Sequence, residues 1–338
     1  MTISVVIPCR NEVNAIEKCV VSILSSELDI GNTLNDIFIV DGESDDGTIE
    51  KIEKLTQLDP RVKLISNPDR ITPIAFNLGI KAATSDFVQI IGARQFISSN
   101  YLQECLNCFE QDPKIGCVGG AVENSYTNET SEIIAMAMDS PFGVGGSNFR
   151  IKKESCYVDT VGTPMYRRSI FNEIGLFNEV LVRNQDDELN YRVTQAGYKI
   201  YFTHKATLQY VVRASYKGLK NQYFQYGYWK VYVNKLVGSV TTVRQLFPSL
   251  LILGILGGLL IFWINPIIAT VYFLCLFSYI ALSFYFAIKK TTDLMKLFKI
   301  IGVFYILHFS YGWGYLKGII DFLFLNKKPS NGSKKLTR

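Results

Sequence analysis

Short apolar runs alternate with amphipathic stretches along the first two thirds of the chain. SVVI (Ser4–Ile7), DIFIV (Asp36–Val40), VKLIS (Val62–Ser66) and FVQII (Phe87–Ile91) carry β-branched side chains and run into turn residues. Runs of this kind suit central strands buried on both faces. Between them, Asn11–Leu24 sets Ile16, Val20, Ile23 and Leu24 on one helical face, and helices are expected over Thr48–Leu55 and Ile74–Ala83. Strands alternating with helices at these spacings predict right-handed βαβ units and a parallel sheet, which takes its ligands at the carboxyl ends of the strands. A second half, from about Asn100 to Lys205, predicts a helix over Tyr101–Phe109 and a strand near Val118. It continues with a small-residue loop (SPFGVGGSNFR), a strand and turn (YVDTVGTPMYRR) and an acid-rich helix start (NQDDELNYRVTQAG).

The pattern changes near residue 247. Phe247–Ile288 contains no Asp, Glu, Lys or Arg. Spans are expected at 247–264 and 266–288, each near the ~20 residues a bilayer requires. A third apolar segment, 297–325, carries His308 and Lys317. Two spans would return the chain to its starting side, where Lys289, Lys290, Lys296 and Lys299 suit a cytoplasmic flank facing anionic lipid. A third would carry the basic tail (Lys327, Lys328, Lys334, Lys335, Arg338) outside, against the positive-inside rule, so both an interfacial and a spanning placement stay open. The expected division is a catalytic domain at 1–232, an aromatic-rich connector at 233–246, a membrane region at 247–326 and a basic tail at 327–338.

Composition adds little to this picture. The net charge of +5 over 338 residues is concentrated beside the apolar stretch, and the globular part lacks the basic stripe of a nucleic-acid binder. Seven cysteines, an odd number, do not form a disulfide framework. Cys105 and Cys108 form a CxxC without a second ligand pair, which reads as plain reduced thiols. The chain opens directly on a strand, so the catalytic domain is expected in the cytosol. The glycosylation sequon at Asn128 then carries no meaning.

Two acidic clusters are candidates for chemistry. Asp41-Gly42-Glu43-Ser44-Asp45-Asp46-Gly47-Thr48 follows a strand at the ligand-binding edge. Carboxylates there accept hydrogen bonds from a base N–H or ribose hydroxyls, and Asp45 or Asp46 also suits a helix cap. Asn184-Gln185-Asp186-Asp187-Glu188 opens a helix, whose dipole favours acids although they repel one another. A carboxylate beside a sugar hydroxyl is a natural general base. His204, after a strand, could reach a diphosphate or lie idle on the surface. His308, at membrane depth, fits either a lipid diphosphate contact or a helix-packing donor.

In this order, IPCRNE, VDGESDDGT, FNLGIKAATSD, YRRSIFNEIGLFNE, NQDDELNYR and QYGYW make the chain resemble the family 2 glycosyltransferases of the GT-A fold. The SPFGVGGSNFR loop and the late HFSYGWGYLKG segment resemble the membrane-bound, succinoglycan-type exopolysaccharide branch. The resemblance implies a nucleotide-diphospho-sugar-binding, Rossmann-like α/β domain followed by C-terminal transmembrane helices, and a hexosyltransferase activity of the cell envelope. Pro8, Arg10, Asn11 and Glu12 would line the nucleotide pocket, Asp41 would contact the base, and Ser44 and Asp46 would stand nearby. Asp186 would be the catalytic base, with Asp187, Glu188, Gln225 and Trp229 on the acceptor side and Tyr228 where the family has arginine. The partners implied are a nucleotide-sugar donor, a polyprenyl diphosphate-linked or polysaccharide acceptor and the membrane, with no nucleic acid.

The family's acidic metal motif after the fourth strand is replaced by Gly92-Ala93-Arg94. Mg2+ or Mn2+ prefers oxygen ligands, so this position offers no side chain to hold one, and Arg94 could address the phosphates instead. A chain that only binds and organises an assembly complex is the alternative from another class. A transferase making polyprenyl-monophosphate sugars is a third reading.

Overall fold

The computed structural model describes residues 1–145, 154–261 and 263–329, and its contacts divide the chain into two units. The first comprises Met1–Glu123 and Asn148–Val211, the second Asn124–Ser147 and Val212–Arg338. The division differs from the expected boundary at 232 in two ways. The chain changes unit at residue 212, and a stretch from the middle of the sequence belongs with the C-terminal helices.

The first unit is built on a mixed sheet. Its strands are β1 (Thr2–Cys9), β2 (Thr33–Asp41), β3 (Val62–Ser66), β4 (Phe87–Ile90), β5 (Gln95–Ile97), β6 (Ile115–Ser125), β7 (Cys156–Val158), β8 (Gly162–Arg167) and β9 (Lys199–Val211). The order is β3-β2-β1-β4-β8-β6-β9-β5, with β7 paired to β9. The first four strands run parallel, as the sequence pattern requires, and β8 joins β4 antiparallel. The period-2 alternation of a strand buried on both faces is visible in the cores. Ile3, Val5 and Ile7 of β1 with Ile37 and Ile39 of β2 enter one apolar cluster, while Val6, Phe38 and Val40 enter the other. Helices α1 (Ile16–Leu24) and α4 (Tyr101–Gln111) cover the first face. Helix α3 (Thr72–Ala82) covers the second, and α2 (Thr48–Leu58) follows β2.

Helix α1 starts five residues later than expected. Asn11 has φ +53°, and its N–H donates to Ser44 Oγ at 2.8 Å, so residues 11–15 form a turn instead of a first helical turn.

The second unit is helical. Helix α5 (Glu129–Met138) opens with a reciprocal cap in which Asn128 Oδ1 accepts from Ser131 N at 2.8 Å, so the sequon asparagine is an N-cap. The four-residue α6 (Pro141–Val144) follows. Residues 146–150 of the SPFGVGGSNFR loop and the tail beyond residue 329 lie outside the described residues. In the first unit, α7 (Ile170–Ile174) and α8 (Gln185–Gln195) flank the turn into the acid-rich segment.

The long helix α9 (Tyr216–Val237) lies mostly within the expected catalytic domain and ends inside the stretch expected as a connector. After it come α10 (Phe247–Ile261), α11 (Pro266–Ile288) and α12 (Leu294–Gly318), which runs on as π-helix over Ile319–Phe324. Three helical stretches, Val243–Ile261, Pro266–Ile288 and Leu294–Phe324, are long and apolar enough to cross a membrane. Within this unit α9 and α12 approach at backbone distance through glycines. A methyl group on Gly227 would meet Tyr311 O at 2.0 Å, and one on Gly314 would meet Phe224 O at 2.0 Å. Gly314 and Gly318 form a G-x-x-x-G spacing, the small-residue ridge that lets helices pack closely.

Candidate active site

The candidate site is assembled from chain turns at the carboxyl ends of β1, β2 and β4. After β1, Pro8 and Cys9 lead into Arg10, Asn11 and Glu12. After β2, Asp41 is buried at 3% exposure and accepts from Ser44 N at 2.9 Å and from Ser44 Oγ at 2.5 Å. Ser44 Oγ in turn accepts from Asn11 N, and Asn11 exchanges side-chain bonds with Asp45 at 2.8 and 3.0 Å. Asn11 and Glu43 hold φ +53°, a left-handed backbone that non-glycine residues adopt only when their surroundings impose it.

Asp46 has a joining role. Its carboxylate accepts from Val13 N at 3.2 Å and from Thr48 N at 3.1 Å, while the Thr48 hydroxyl also accepts from Glu12 N at 2.9 Å. Burial works to raise this carboxyl. The Thr48 hydroxyl and the N–H groups of Val13 and Thr48 outweigh it and hold Asp46 below its ordinary 3.8. Asp46 therefore braces the two turns against each other, while the N-cap of α2 is Gly47, without a side-chain cap, and not Asp45 or Asp46.

Arg94, four residues beyond β4, donates from Nε to Glu12 Oε2 at 2.7 Å. Glu12 is 10% exposed and Arg94 37% exposed in their side chains. Among the described residues the two terminal nitrogens of Arg94 carry no hydrogen bond, so the guanidinium is anchored by one edge. The sequence placed these two residues in one pocket but gave no sign of the bond between them. The two residues lie 82 positions apart in the chain, and no local pattern reports such a pairing.

Strand β8 runs antiparallel to β4, so its first residues lie at the carboxyl end of β4. Gln89 Nε2 donates to Thr163 O at 2.9 Å across that junction. Helix α8 is tied to this edge by Asn190, whose Nδ2 donates to Thr160 Oγ1 at 3.2 Å and whose Oδ1 accepts from Tyr166 OH at 3.4 Å. Asp186 is exposed in the first turn of α8, four residues before Asn190 and hence on the same helical face. The helix begins from Asn184 at φ +57°, again left-handed. Asp187 follows, half-buried.

Two acceptor-side expectations meet a different geometry. Glu188 is 8% exposed, and both its oxygens bind Arg192 at 2.7 and 2.8 Å, while Arg192 also clamps the carbonyl of Leu176 at 2.8 Å. Its carboxylate, through Arg192, holds the preceding loop. Trp229, on α9 in the second unit, has no exposed surface and packs on Tyr232 and Phe322. Gln225 on the same helix is half-buried. Tyr228 donates to Asp321 Oδ2 at 3.1 Å within that unit.

His204 lies exposed on β9 with Nδ1 2.9 Å from Ser155 Oγ. His308 is a packing residue of the second unit, with Nε2 2.7 Å from Phe142 O and Nδ1 2.9 Å from Tyr279 OH. Cys105 and Cys108 are buried free thiols, and burial raises both.

The residues that stand in place of the family's acidic metal motif supply no ligand for a divalent ion. Gly92 and Ala93 offer no side-chain oxygen, Glu12 is committed to Arg94, Asp41 to Ser44, and Asp46 to Thr48 and Val13. Among the described residues no three metal-ligating side chains cluster.

This arrangement places the chain among the sugar transferases of α/β type, and comparison with known proteins makes the assignment specific. The model of glycosyl transferase family 2 matches residues 4–175, and the chain belongs to that family. A dolichyl N-acetyl-α-D-glucosaminyl phosphate 3-β-D-2,3-diacetamido-2,3-dideoxy-β-D-glucuronosyltransferase of Methanococcus voltae is 30% identical over 272 residues, covering 77% of this chain and 83% of that protein. The succinoglycan biosynthesis protein ExoA of Rhizobium meliloti (strain 1021) is 30% identical over 248 residues, 72% of this chain and 73% of the relative. The chain is thus a glycosyltransferase of exopolysaccharide type, as its motifs implied.

Among solved structures, the mannosyltransferase PcManGT from Pyrobaculum calidifontis in complex with GDP-Man and Mn2+ superposes with a TM-score of 0.61. It is 15% identical, over 94% of this chain and 87% of its own. GalNAc-T7 with UDP, GalNAc and Mn2+ gives 0.52 at 19% identity, over 66% of this chain and 47% of its own. At these identities the likeness establishes the GT-A fold.

Proposed function

We propose that this chain moves one sugar from a nucleoside-diphosphate donor to a lipid-linked or polysaccharide acceptor at the cytoplasmic face of the membrane, in a single inverting displacement. The observation that carries the reading is the gathering at one sheet edge of the turns after β1, β2 and β4 with the exposed carboxylate of Asp186. Asp41, Ser44 and Asn11, with Pro8 and Arg10 beside them, would receive the nucleoside. The acceptor hydroxyl attacks the anomeric carbon, Asp186 takes its proton, and the bond to the β-phosphate oxygen breaks with its electron pair leaving on the nucleoside diphosphate. Charge develops on that diphosphate, and Arg94, held at Nε by Glu12, turns its remaining guanidinium donors toward it. The geometry supports Arg94 in the role that a divalent ion fills elsewhere, so turnover is expected to persist in chelator. Asp187 and Gln225 remain acceptor-side candidates, whereas Glu188 and Trp229 act through packing.

Membrane attachment suits the acceptor classes of the relatives, one of which acts on a dolichyl phosphate-linked sugar by name. Holding the enzyme where a polyprenyl-linked acceptor is confined raises the effective concentration of the pair. The lysines at 289, 290, 296 and 299 support a cytosolic flank.

The test is radiolabelled transfer from a panel of nucleotide sugars into the lipid fraction of membranes, with and without chelator, in wild type and Asp186→Asn. Label that enters lipid only with Asp186 and survives chelator is the expected result. Strict Mn2+ dependence would remove Arg94 from its role. No transfer from any donor with native acceptor supplied would favour the binding-only alternative, to which the missing carboxylates at 92–94 already point.

A further inference from the structure

The second unit contains three apolar helical stretches of spanning length, yet their surroundings differ. In the hairpin of α10 and α11 the buried positions are Ser249, Ile252 and Gly258 on one arm and Ser283 and Ala287 on the other. Apart from Gly258, which Tyr272 of the facing arm covers, they all lie at the feet. Both feet rest on α12. Gly312 abuts Pro248 and Ile252, while Tyr279 bonds His308 and Ser283 lies 3.3 Å from Tyr305. Helix α12 thus packs against both arms, with Gly312 at the foot of one and His308 and Tyr305 along the C-terminal part of the other.

Helix α12 has the pattern of a helix lying in a plane. Met295, Phe298, Trp313 and Ile320 are exposed and Phe309 is half-buried, at helical spacing along one face. With its π-helical end the element covers 31 residues, about 46 Å at 1.5 Å per residue, against ~30 Å of hydrocarbon.

The other face meets charge-bearing elements at both ends. Lys296 and Lys299 bind Glu132 and Glu129 of α5 at 2.7 and 2.5 Å. Helix α9 follows the C-terminal half, from Gly227 beside Tyr311 to Lys235, whose ammonium donates to Phe322 O at 2.7 Å. Helix α9 exposes Lys217, Lys220, Asn221 and Lys235. A spanning α12 would draw these groups into lipid, where every polar group needs a partner.

We infer that α12 does not cross the membrane. It lies with α9 in the bilayer surface, its apolar stripe at the boundary of headgroups and acyl chains and the exposed Lys289 and Lys328 toward anionic headgroups. The chain then crosses only through the hairpin, and residues 325–329 stay on the face from which α9 starts. This rests on the membrane reading above.

The full chain is reconstituted in phosphatidylcholine–phosphatidylglycerol vesicles with Cys156 and Cys275 replaced by serine. Single nitroxides are placed through Phe298→Cys, Phe309→Cys, Ile320→Cys and, as reference, Val271→Cys in the hairpin. Expected are three equally shallow depths from paramagnetic relaxation and a deeper one at 271. A depth maximum at 309 overturns the inference. So does spin–spin broadening of the stripe labels with 271 still deep, which would mean that a second copy covers the face. A label at 271 that stays in water removes the membrane reading itself. An impermeant maleimide is expected to reach Lys217→Cys and Lys328→Cys from the same side of oriented vesicles, and labelling from opposite sides overturns the inference independently.

Discussion

The two units use irregular backbone for opposite purposes. In the first, left-handed non-glycine residues gather around the site: Asn11 and Glu43 in the nucleotide-side turns, Asn184 at the start of α8. There a hydrogen-bond network holds the backbone where sterics disfavour it, with Asn11 bonded to Ser44 and Asp45 and Glu43 to Arg70. In the second, the special residues are glycines inside regular helices, Gly227, Gly314 and Gly318, where the missing side chain lets two backbones touch. One unit holds strained backbone within a polar network, and the other removes side chains to close a packing gap. Mutations in the two places should therefore fail in different ways, one losing chemistry with the fold intact and the other losing the fold locally.

The largest expected effect is on chemistry alone. Asp186→Asn should lower transfer by about 10²–10⁴-fold, the usual contribution of a general base, with an unchanged melting temperature, because Asp186 is exposed. Arg94→Ala should lower transfer by roughly tenfold to a hundredfold, of the order of one to two lost charge-assisted hydrogen bonds. Arg94→Lys should recover part of it, and added Mn2+ should not. The second unit should show the reverse behaviour. Gly227→Ala forces a methyl group onto Tyr311 O and should cost about 1–3 kcal/mol of stability in detergent. Fluorescent nucleotide binding to the sheet domain should persist until that unit melts.

A smaller effect concerns Asp46. Its folded value lies below the ordinary 3.8, so its contribution to stability is complete above that value and is lost as pH falls through the lower folded value. Acid melts of wild type and Asp46→Asn should converge below the ordinary value and diverge above it. A difference that grows on acidification would contradict the bracing role. Smallest of all is the Lys299–Glu129 pair, exposed on both sides. Lys299→Ala should leave the melting temperature unchanged at high salt, where exposed pairs are screened.

Much of the first unit was legible because its signals are local. Buried parallel strands announce themselves as β-branched runs, and the acid clusters sit in contiguous turns. Helix α9 was not legible. Its aromatic and polar residues alternate without an apolar stripe, and its partner surface is a glycine ridge some ninety residues downstream, as in the contact of Gly227 with Tyr311. The assignment of residues 124–145 to the helical unit was equally hidden, since it rests on packing between segments some 160 residues apart, as in the contact of Phe142 with His308 and of Glu132 with Lys296.

By itself the sequence determined the parallel sheet, the family, the edge where chemistry belongs and the uncharged hairpin. Each of these follows from periodicity or from a contiguous run of residue types. Tertiary structure decided how the adjacent acids of α8 are placed. Asp186 is exposed while Glu188, two residues later, is locked to Arg192, because 3.6 residues per turn send neighbouring carboxylates to different faces. It also decided that Arg94 is held by Glu12 and that Trp229 is core, pairings between distant positions that no local pattern encodes.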